Sequence, residues 1–356
     1  MIVFGAPRRY IQGAGLLAGI GRELAAIGNS AVLIADERVM NMCGEIVRQS
    51  AETEGVSLTL MPFRGEITYD EIARIVAEIG NTPADIVIGA GGGKTIDTGK
   101  IVARDTGAHF VSVPTVASND SPTSHIAVIY DAQHKLVGVE ENRANPELVL
   151  VDTDIIVKAP IELLSAGVGD ALVKVFEVEQ CVGAGGKNVF GAGSPLTALA
   201  LARACYTTVR ENLAAAYEAH AKGKPNAAFE ALVEAAVLMS GLAFESGGLS
   251  VSHGMTRGLS AVPGVANALH GHQVAYGLLV QLELENRDPQ FMADIREFYR
   301  AAKLPLKLSQ LGADHASNST VQTIAELSAA AAHMKKFARE ITANDIAEAI
   351  GRIEAA

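Results

Sequence analysis

Residues 85–94, Asp85-Ile-Val-Ile-Gly-Ala-Gly-Gly-Gly-Lys94, contain the most informative pattern in this chain for predicting its fold. The first six of these residues have the pattern of a buried strand, and a helical pattern begins near Thr95 directly after the glycines. Glycines allow the backbone to approach a pyrophosphate closely, and the start of the next helix offers unpaired N–H groups and a positive dipole end. Lys94 adds a positive charge. The stretch therefore predicts a strand, a phosphate-binding loop and a helix; the alternative is a glycine-rich turn without a ligand.

Buried strands and amphipathic helices alternate on both sides of this loop. Apolar, β-branched runs predict strands at 31–36, 57–63, 85–90, 109–115 and 148–152. Apolar residues at helical spacing predict helices at 40–53, 69–80 and 94–106. Such alternation is typical of a parallel sheet with helices on both faces. Residues 127–131 and 136–140, joined across 132–135, instead predict an antiparallel hairpin added to that sheet.

The character of the sequence changes near Pro160. Alanine-rich segments replace the β-branched runs, and breaks recur, for example at Gly247-Gly248 and Pro263-Gly264. The chain has 356 residues, whereas a single core usually stops growing at about 250–300 residues. We therefore expect an α/β domain with a Rossmann-like parallel sheet at residues 1–158, followed by an all-α helical domain at residues 159–356.

Composition and charge exclude several classes of protein. Hydrophobic residues make up 49% of the chain and charged residues 19%, which is a globular profile. The formal charge is -11 and no basic cluster exceeds two residues, so no nucleic acid partner is expected. The apolar stretch 231–244 is shorter than the roughly 20 residues that span a bilayer, so no membrane partner is expected either. Because the three cysteines lack CxxC spacing and no secretory signal pattern opens the chain, we expect a cytoplasmic protein.

Two further features bear on nucleotide binding. Gly13-Ala-Gly-Leu-Leu-Ala18 matches the loose GxGxxA fingerprint, but the residues before it lack the apolar run of a central strand. Its glycines are therefore expected to cap or start a peripheral helix. Asp36 ends the strand predicted at 31–36, where a carboxylate can accept hydrogen bonds from an adenosine ribose and repel a 2′-phosphate. Asp36 thus favours NAD over NADP, unless it only caps the next helix.

Three candidate ligands in the second half indicate a metal site. His253 and His270 would point to different faces of one straight helix, since each residue turns it by about 100°. The breaks at Gly258 and Pro263-Gly264 allow two helices to bring both imidazoles together. Asp170, expected to start another apolar helix, is a candidate carboxylate ligand. Two imidazoles, one carboxylate and an open fourth position suit a catalytic zinc or iron ion. By spacing alone, a core histidine, a helix-capping Asp and a solvated histidine are the alternative.

Several segments together carry a resemblance to a known family. They are YIQG at 10–13, GGGKTIDT at 91–98, PTVASNDSP at 114–122, GDAL at 169–172, FESGGL at 244–249, and HG at 270–271 followed by VAYG at 274–277. On these segments the chain resembles, from end to end, the glycerol dehydrogenases of the metal-dependent (iron-containing type) alcohol dehydrogenase superfamily. The resemblance implies a Rossmann-like N-terminal domain, a helical C-terminal domain and a bound divalent metal.

The resemblance also implies an activity, cofactors and partners. It implies NAD-dependent oxidation of a vicinal diol such as glycerol to the hydroxyketone, dihydroxyacetone, with a divalent metal, Zn2+ or Fe2+, as Lewis acid. The partners it implies are a small polyol substrate and further copies of the chain, since relatives form homo-oligomers, often octamers.

By the same resemblance, the family's site residues fall on positions of this chain. The metal ligands fall on Asp170, His253 and His270, which form the predicted catalytic set together with the substrate-side acid, Asp120. The NAD contacts fall on Asp36, Gly92, Gly93, Lys94, Asp97, Thr115, Ser118, Ser124, Ile126 and Tyr130. The departures from the family's usual pattern are His272-Gln273 in place of Glu-Lys, Asn119 in place of Thr, and His125 in place of a small residue. His125 and His272 lie near enough to the site motifs that they are expected to affect substrate preference.

Three alternatives to a diol dehydrogenase stay open at this point. One is another alcohol or 2-hydroxyacid dehydrogenase of the same superfamily. A second is a lyase related to dehydroquinate synthase, but such lyases need several basic side chains for a phosphorylated substrate, and Arg257 is the main candidate near His253. The third is a nucleotide-binding protein that has lost catalysis, against which the three ligand positions and the glycine-rich loop argue.

Overall fold

A computed structural model describes residues 1–80, 83–132, 136–313 and 317–356. The strands are β1 (Tyr10–Gly13), β2 (Ser30–Ala35), β3 (Ser57–Pro62), β4 (Ile86–Gly91), β5 (His109–Pro114), β6 (Ile126–Tyr130), β7 (Leu136–Glu141) and β8 (Leu148–Asp152). The helices are α1 (Ile20–Ala25), α2 (Glu37–Thr53), α3 (Tyr69–Gly80), α4 (Gly93–Thr106), α5 (Thr153–Ile156), α6 (Ile161–Gly183), α7 (Leu196–Ala221), α8 (Ala227–Glu234), α9 (Ser240–Gly247), α10 (Val251–Gly254), α11 (Thr256–Leu259), α12 (His270–Leu284), α13 (Pro289–Ala302), α14 (Asn318–Ala329) and α15 (Ala343–Ala355).

The first of two compact units contains residues 5–159 and 218–238. Its sheet has six parallel strands in the order β1-β8-β5-β4-β2-β3. Alternate residues of β2 enter two separate cores: Leu33 packs with α1 and α2, whereas Val32 and Ile34 pack with α3 and α4. Both faces of the strand are therefore buried, which explains why β2 is a continuous apolar run. The predicted parallel sheet with helices on both faces is confirmed.

The hairpin β6–β7 is antiparallel, as predicted. The expectation that it is added to the main sheet is wrong, because it forms a separate two-stranded sheet. The amide of Val128 in β6 donates to Oδ2 of Asp97 in α4, at 3.0 Å. A helix side chain, rather than a strand of the main sheet, thus accepts this hydrogen bond. Residues 133–135 of the predicted connection lie outside the described residues.

The second unit contains residues 1–4, 160–217 and 239–356. In the ranges that the structure describes, its regular elements are helices, as the predicted all-α half requires. Helices α6 and α12 pack with their main chains in close contact. A Cβ added to Gly271 would lie 1.9 Å from the carbonyl oxygen of Ala166, and one added to Gly169 would lie 2.7 Å from the carbonyl oxygen of Gly271. Glycine at these two positions therefore sets how closely the helices approach.

The two units differ from the division expected at residue 158 in two places: residues 1–4 belong to the second unit and 218–238 to the first. Glu230 explains the second difference. Its carbonyl and its carboxylate accept hydrogen bonds from the Gln12 side chain in β1, at 2.8 and 2.7 Å, and its carboxylate also accepts one from Thr153, at 2.6 Å. These bonds tie α8 to the sheet.

One segment among the described residues, Ala227–Gly247, is long and apolar enough to cross a membrane by length and composition alone. It extends beyond the apolar stretch 231–244 seen in the sequence, because helix α8 begins four residues earlier. More than half of it is buried inside the protein, and the core helix of a folded domain meets the same criterion. By itself the segment is weak support for a membrane span.

Candidate nucleotide and metal sites

Three predicted NAD contacts lie at the carboxyl ends of neighbouring strands. Asp36 follows β2, Gly92 follows β4 and Thr115 follows β5. These strands are adjacent in the order β5-β4-β2. In open parallel sheets, the crevice outside the carboxyl ends of the strands is where nucleotides bind. The first unit thus brings residues that are far apart in the sequence to one edge of its sheet.

The glycine-rich loop has the backbone of a phosphate-binding turn. Gly91 has φ +152°, a conformation that favours glycine, and a Cβ there would lie 2.7 Å from the Thr95 hydroxyl. Gly92 is the N-cap of α4, and Gly93 and Lys94 form its first residues, so the unpaired amides of the helix start lie at the loop. Lys94 donates to Glu66 at 2.7 Å, so its charge is paired within the unit.

A buried lysine that the sequence analysis missed organises the adjoining loop. Lys100, only 2% exposed, donates to Oδ1 of Asp97 at 3.0 Å and to the Ser124 hydroxyl at 3.1 Å. It also donates to the carbonyl oxygens of Ser121 and Ile126, each at 2.7 Å. Three predicted NAD contacts, Asp97, Ser124 and Ile126, are therefore held in place by one cation. Two charged residues three apart on a buried helix face were the signal in the sequence.

The remaining predicted residues of this region belong to the same unit. Ser118 lies in the loop after β5, and Asp120 is a buried N-cap of the turn Ser121–Thr123. Tyr130 ends β6, where burial raises the pKa of its hydroxyl to about 12, helped by the carboxylates of Asp97 and Glu66. Tyr130 is thus neutral at physiological pH and able to donate a hydrogen bond.

The competing GxGxxA segment already binds an internal carboxylate. Asp152, at the end of β8, accepts hydrogen bonds from the amides of Gly15 at 2.9 Å and Leu17 at 2.8 Å. Gly15 also caps the short 3-10 helix Leu16–Gly19, as the sequence indicated. The amides that a phosphate would need there are occupied. The capping alternative for Asp36 is likewise present, since Asp36 accepts from the Val39 amide at 2.9 Å.

The three predicted metal ligands converge in the second unit. One ligand atom each of Asp170, His253 and His270 lies within 4.8 Å of the others, and the two imidazole centroids are 5.4 Å apart. The residues come from α6, α10 and the first position of α12. Separate helices thus bring the histidines together, which the breaks in the sequence allow. Asp170 and His253 are buried whereas His270 is exposed, so the cluster is open to solvent on one side.

The expectation that Asp170 starts a helix is wrong. Asp170 is the tenth residue of α6 and is fully buried. Burying a carboxylate in the middle of an apolar helix requires a compensating charge. Lys174, one turn later and also fully buried, supplies it by donating to Oδ1 of Asp170 at 2.5 Å.

The donor set fits a divalent metal. Oδ2 of Asp170 is buried and has no hydrogen-bond partner among the described residues, which costs free energy unless a cation binds there. Nδ1 of His253 lies 2.6 Å from the Glu177 carboxylate, and its Nε2 lies 3.5 Å from Oδ1 of Asp170. Metal-binding histidines usually have a carboxylate or carbonyl on the other ring nitrogen in this way. The carboxylate of Glu177 also accepts from the amides of Ser250 and His253, each at 2.9 Å.

The buried charges around these ligands are balanced. Burial alone would raise the pKa of Asp170, but Lys174 and His253 outweigh it and hold that pKa well below its usual range. Burial also acts to raise the pKa of Glu177, yet His253 and Lys174 lower it to about 2. Burial would lower the pKa of His253, whereas Glu177 and Asp170 raise it to about 9 without a metal. Both carboxylates are therefore ionised at neutral pH.

Glu177 and Lys174 were missed in the sequence. Lys174 lies four residues and Glu177 seven residues after Asp170, so all three share one face of α6. Charges at helical spacing on an otherwise apolar helix were the available signal. Of the two unusual histidines, His272 lies 3.1 Å from the Ser165 hydroxyl, and His125 is buried in the first unit.

Comparisons with known proteins agree with this architecture. A model of the family described as iron-containing alcohol dehydrogenase matches residues 7–153. The chain is 36% identical to a glycolaldehyde reductase of Halobacterium salinarum over 91% of this chain and 89% of that protein. It is 37% identical to a glycerol dehydrogenase of Thermotoga maritima over 90% of this chain and 87% of that one. The crystal structure of glycerol dehydrogenase from Schizosaccharomyces pombe superposes with a TM-score of 0.96 at 30% identity, covering 100% of this chain and 91% of that chain.

Proposed function

The chain belongs to the iron-containing alcohol dehydrogenase family, and on that basis we propose that it oxidises a vicinal diol such as glycerol to the hydroxyketone, with NAD and a divalent metal. The observation that carries the proposal is the convergence of Asp170, His253 and His270, with a buried carboxylate oxygen that lacks a partner. Two imidazoles and one carboxylate leave a coordination position for substrate. Relatives named glycerol dehydrogenase, at 33–37% identity over most of the chain, support the same reaction.

In the proposed reaction, one C–H bond and one O–H bond of the diol break, the hydride goes to NAD+ and the proton to solvent. When bound, the metal supplies Lewis acidity at a substrate hydroxyl and NAD supplies the hydride acceptor. The carboxylate of Asp170 provides negative charge for the metal. Glu177 holds the His253 ring so that Nε2 faces Asp170. His270, exposed at the start of α12, leaves room for an alcohol. Asp120 is proposed to orient a second hydroxyl.

The nucleotide is assigned to the carboxyl edge of the sheet in the first unit. The backbone at Gly92 and Gly93 and the charge of Lys94 are proposed to bind the pyrophosphate, and Asp36 the adenosine ribose. The other proposed contacts come from three neighbouring parts of the chain: Asp97 from α4, Thr115, Ser118 and Ser124 from the segment after β5, and Ile126 and Tyr130 from the hairpin strand β6. Through Lys100, three of these also depend on one another for their positions.

A second candidate is the reduction of a 2-hydroxyaldehyde. The similarity to a glycolaldehyde reductase favours it. The diol and the 2-hydroxyaldehyde each have oxygen atoms on two adjacent carbons. One metal site is therefore suited to bind the oxygen pair of either substrate. A dehydroquinate-synthase-like lyase is not favoured, because the named relatives are dehydrogenases and reductases.

NADH absorbance with a substrate panel tests the proposal. We expect NADH from glycerol and 1,2-propanediol with NAD, and NADH consumption with dihydroxyacetone and glycolaldehyde. Chelation should abolish both, and zinc or ferrous iron should restore them, with zinc proposed as the resident metal. If NADH forms only with 2-hydroxyacids, the substrate is a 2-hydroxyacid and not a diol. Activity that survives complete metal removal would overturn the role of the metal.

We propose that the protein works in the cytoplasm, and that it assembles as a homo-oligomer, as large as an octamer. Light scattering after size-exclusion chromatography tests the assembly, and a monomer at working concentration would contradict it.

A further inference from the structure

We propose that Lys174 is a built-in counter-cation of the metal site: it neutralises Asp170 while the site is empty and weakens the hold of the site on a divalent metal, which keeps the ion exchangeable. The proposal deepens the metal-dependent function proposed above and rests on it. Lys174 is thus a positioning residue that acts through Asp170.

The ammonium of Lys174 lies among the candidate metal ligands. Its ammonium lies 2.5 Å from Oδ1 of Asp170 and 3.5 Å from Nε2 of His253, the nitrogen that Glu177 leaves for a metal. It therefore contacts two of the three candidate ligands. The side chain is fully buried, and its ammonium lies 5.7 Å from the centroid of the Phe244 ring. Such an ammonium has little water to screen it.

The two oxygens of Asp170 are used differently. Oδ1 accepts from Lys174, whereas Oδ2 is buried without a partner among the described residues. A metal bound at Oδ2 would share one carboxylate with the ammonium. Two cations on one carboxylate repel each other, and in a poorly screened site the repulsion lowers the affinity for the metal.

Lys174 also affects the charge balance of the site, both when the site is empty and when it holds a metal. Asp170 is a buried carboxylate, and in the empty site the ammonium of Lys174 is the cation in direct contact with it. Removing Lys174 leaves Asp170 with less compensation in the empty site, which destabilises the metal-free chain. The same removal eliminates the repulsion in the loaded site. Both effects drive metal binding in one direction, toward tighter association.

The test compares the zinc affinities of three variants with that of the unaltered protein, by competition with a chromophoric chelator. Lys174→Met removes charge and hydrogen bond while keeping an unbranched apolar chain, and Lys174→Gln keeps a donor but no charge. We expect both to bind zinc at least about 10-fold more tightly, the lower end of what changes beside metal ligands produce. Without metal, the two Lys174 variants should melt at a lower temperature than the metal-free parent. Their melting temperatures should also rise more than that of the parent when zinc is added.

Lys100→Met is the matched control. Lys100 is also a buried lysine that pairs with an aspartate on its own helix, but its hydrogen bonds are within the first unit. It should lose stability without a change in zinc affinity. If Lys174→Met misfolds, the milder substitution Lys174→Gln decides the test. Zinc binding in Lys174→Gln that is unchanged or weaker than in the unaltered protein would overturn the role of Lys174. Absence of zinc binding in the unaltered protein would instead overturn the proposed function.

Discussion

At the scale of single residues, the carboxylate of Glu177 has the clearest testable role. In Glu177→Gln the amide can donate to Nδ1 of His253, which turns the ring nitrogen that faces Asp170 into an N–H group and removes it as a ligand. Since changes beside metal ligands cost about 10- to 100-fold in affinity, we expect zinc binding to weaken by that factor. Chelator competition measures it.

Glu179→Gln is the control for that substitution, because Glu179 lies on the same helix but pairs with Arg203 at the surface. Its zinc affinity should equal that of the unaltered protein. Equal zinc affinity in Glu177→Gln and Glu179→Gln would show that the contact of 2.6 Å with His253 has no part in metal binding.

Asp36 offers a residue-scale test of nucleotide choice. Asp36→Ser keeps an oxygen that can cap α2, so the folded state should change little. It removes the negative charge that would repel a 2′-phosphate. We expect the ratio of kcat/KM for NADP to that for NAD to rise about tenfold, equivalent to 1.4 kcal/mol. An unchanged ratio with unchanged stability would assign Asp36 to capping alone.

The sequence could predict which residues carry the chemistry but not all of their supports. Asp170 and His270 were accessible through motifs, since they lie in segments that carry the family resemblance, and His253 lies four residues after another such segment, 244–249. Lys174, Glu177 and Lys100 act on other side chains, and their partners are distant in the chain or hidden on a helix face. A sequence pattern does not show that Nζ of Lys100 meets the carbonyl of Ile126.

At the scale of elements, the contact between α6 and α12 sets the position of two ligands. In Gly271→Ala the new methyl group would lie 1.9 Å from the carbonyl oxygen of Ala166, so the helices must separate. We expect a loss of about 1–3 kcal/mol or more in unfolding free energy, and weaker zinc binding because His270 moves away from Asp170. Denaturant unfolding and chelator competition measure the two effects.

Gly183→Ala, at the end of the same α6, provides the comparison. A Cβ there meets nothing within 4 Å, so stability should stay equal or rise by up to about 1 kcal/mol. If Gly271→Ala kept normal zinc affinity, the spacing of the ligands would not depend on the approach of these helices.

The start of α3 predicts a pH dependence. Burial would raise the pKa of Glu71, but the paired guanidinium of Arg74 and the amide of Arg64 hold it below its usual range. A lowered pKa means that this stabilisation is present at neutral pH and is lost as the pH falls through the value in the folded state. Glu71→Gln should cost about 1.5–3 kcal/mol at neutral pH, and the difference from the parent should shrink in acid. Urea unfolding at several pH values measures it; a constant difference would contradict the assignment.

Element boundaries were largely accessible from the sequence, and packing partners were not. The bounds predicted for β8 and α3 from apolar periodicity equal the observed ones, because the burial of one or two faces determines which positions are apolar. The hairpin was misplaced because its anchor is the side chain of Asp97 rather than a strand edge. The helix around Asp170 was cut short because a buried Asp resembles a cap unless its Lys174 partner is recognised.

At the scale of the whole molecule, metal binding should raise stability. A ligand that binds only the folded chain at 100 times its dissociation constant adds about 2.7 kcal/mol. We therefore expect chelation to lower the unfolding midpoint, zinc to restore it, and His253→Ala to respond to neither. Differential scanning calorimetry measures all three. A zinc-induced gain that persists in His253→Ala would place the bound ion elsewhere in the protein.

The fold class was predictable because the two halves differ in composition, one alternating strand and helix and the other almost free of β-branched runs. The assignment of residues 218–238 to the first unit was not. It depends on Glu230 and its bonds to Gln12 and Thr153, and hydrogen bonds over such separations leave no local pattern.

The close approach of Gly169 and Gly271 also bears on how such a protein can diversify. Because main-chain atoms set the gap between these helices, side chains outside this contact can be replaced without a change in the distance between Asp170 and His270. Natural selection or protein engineering can then change which alcohol the protein accepts while the arrangement of the metal ligands stays the same.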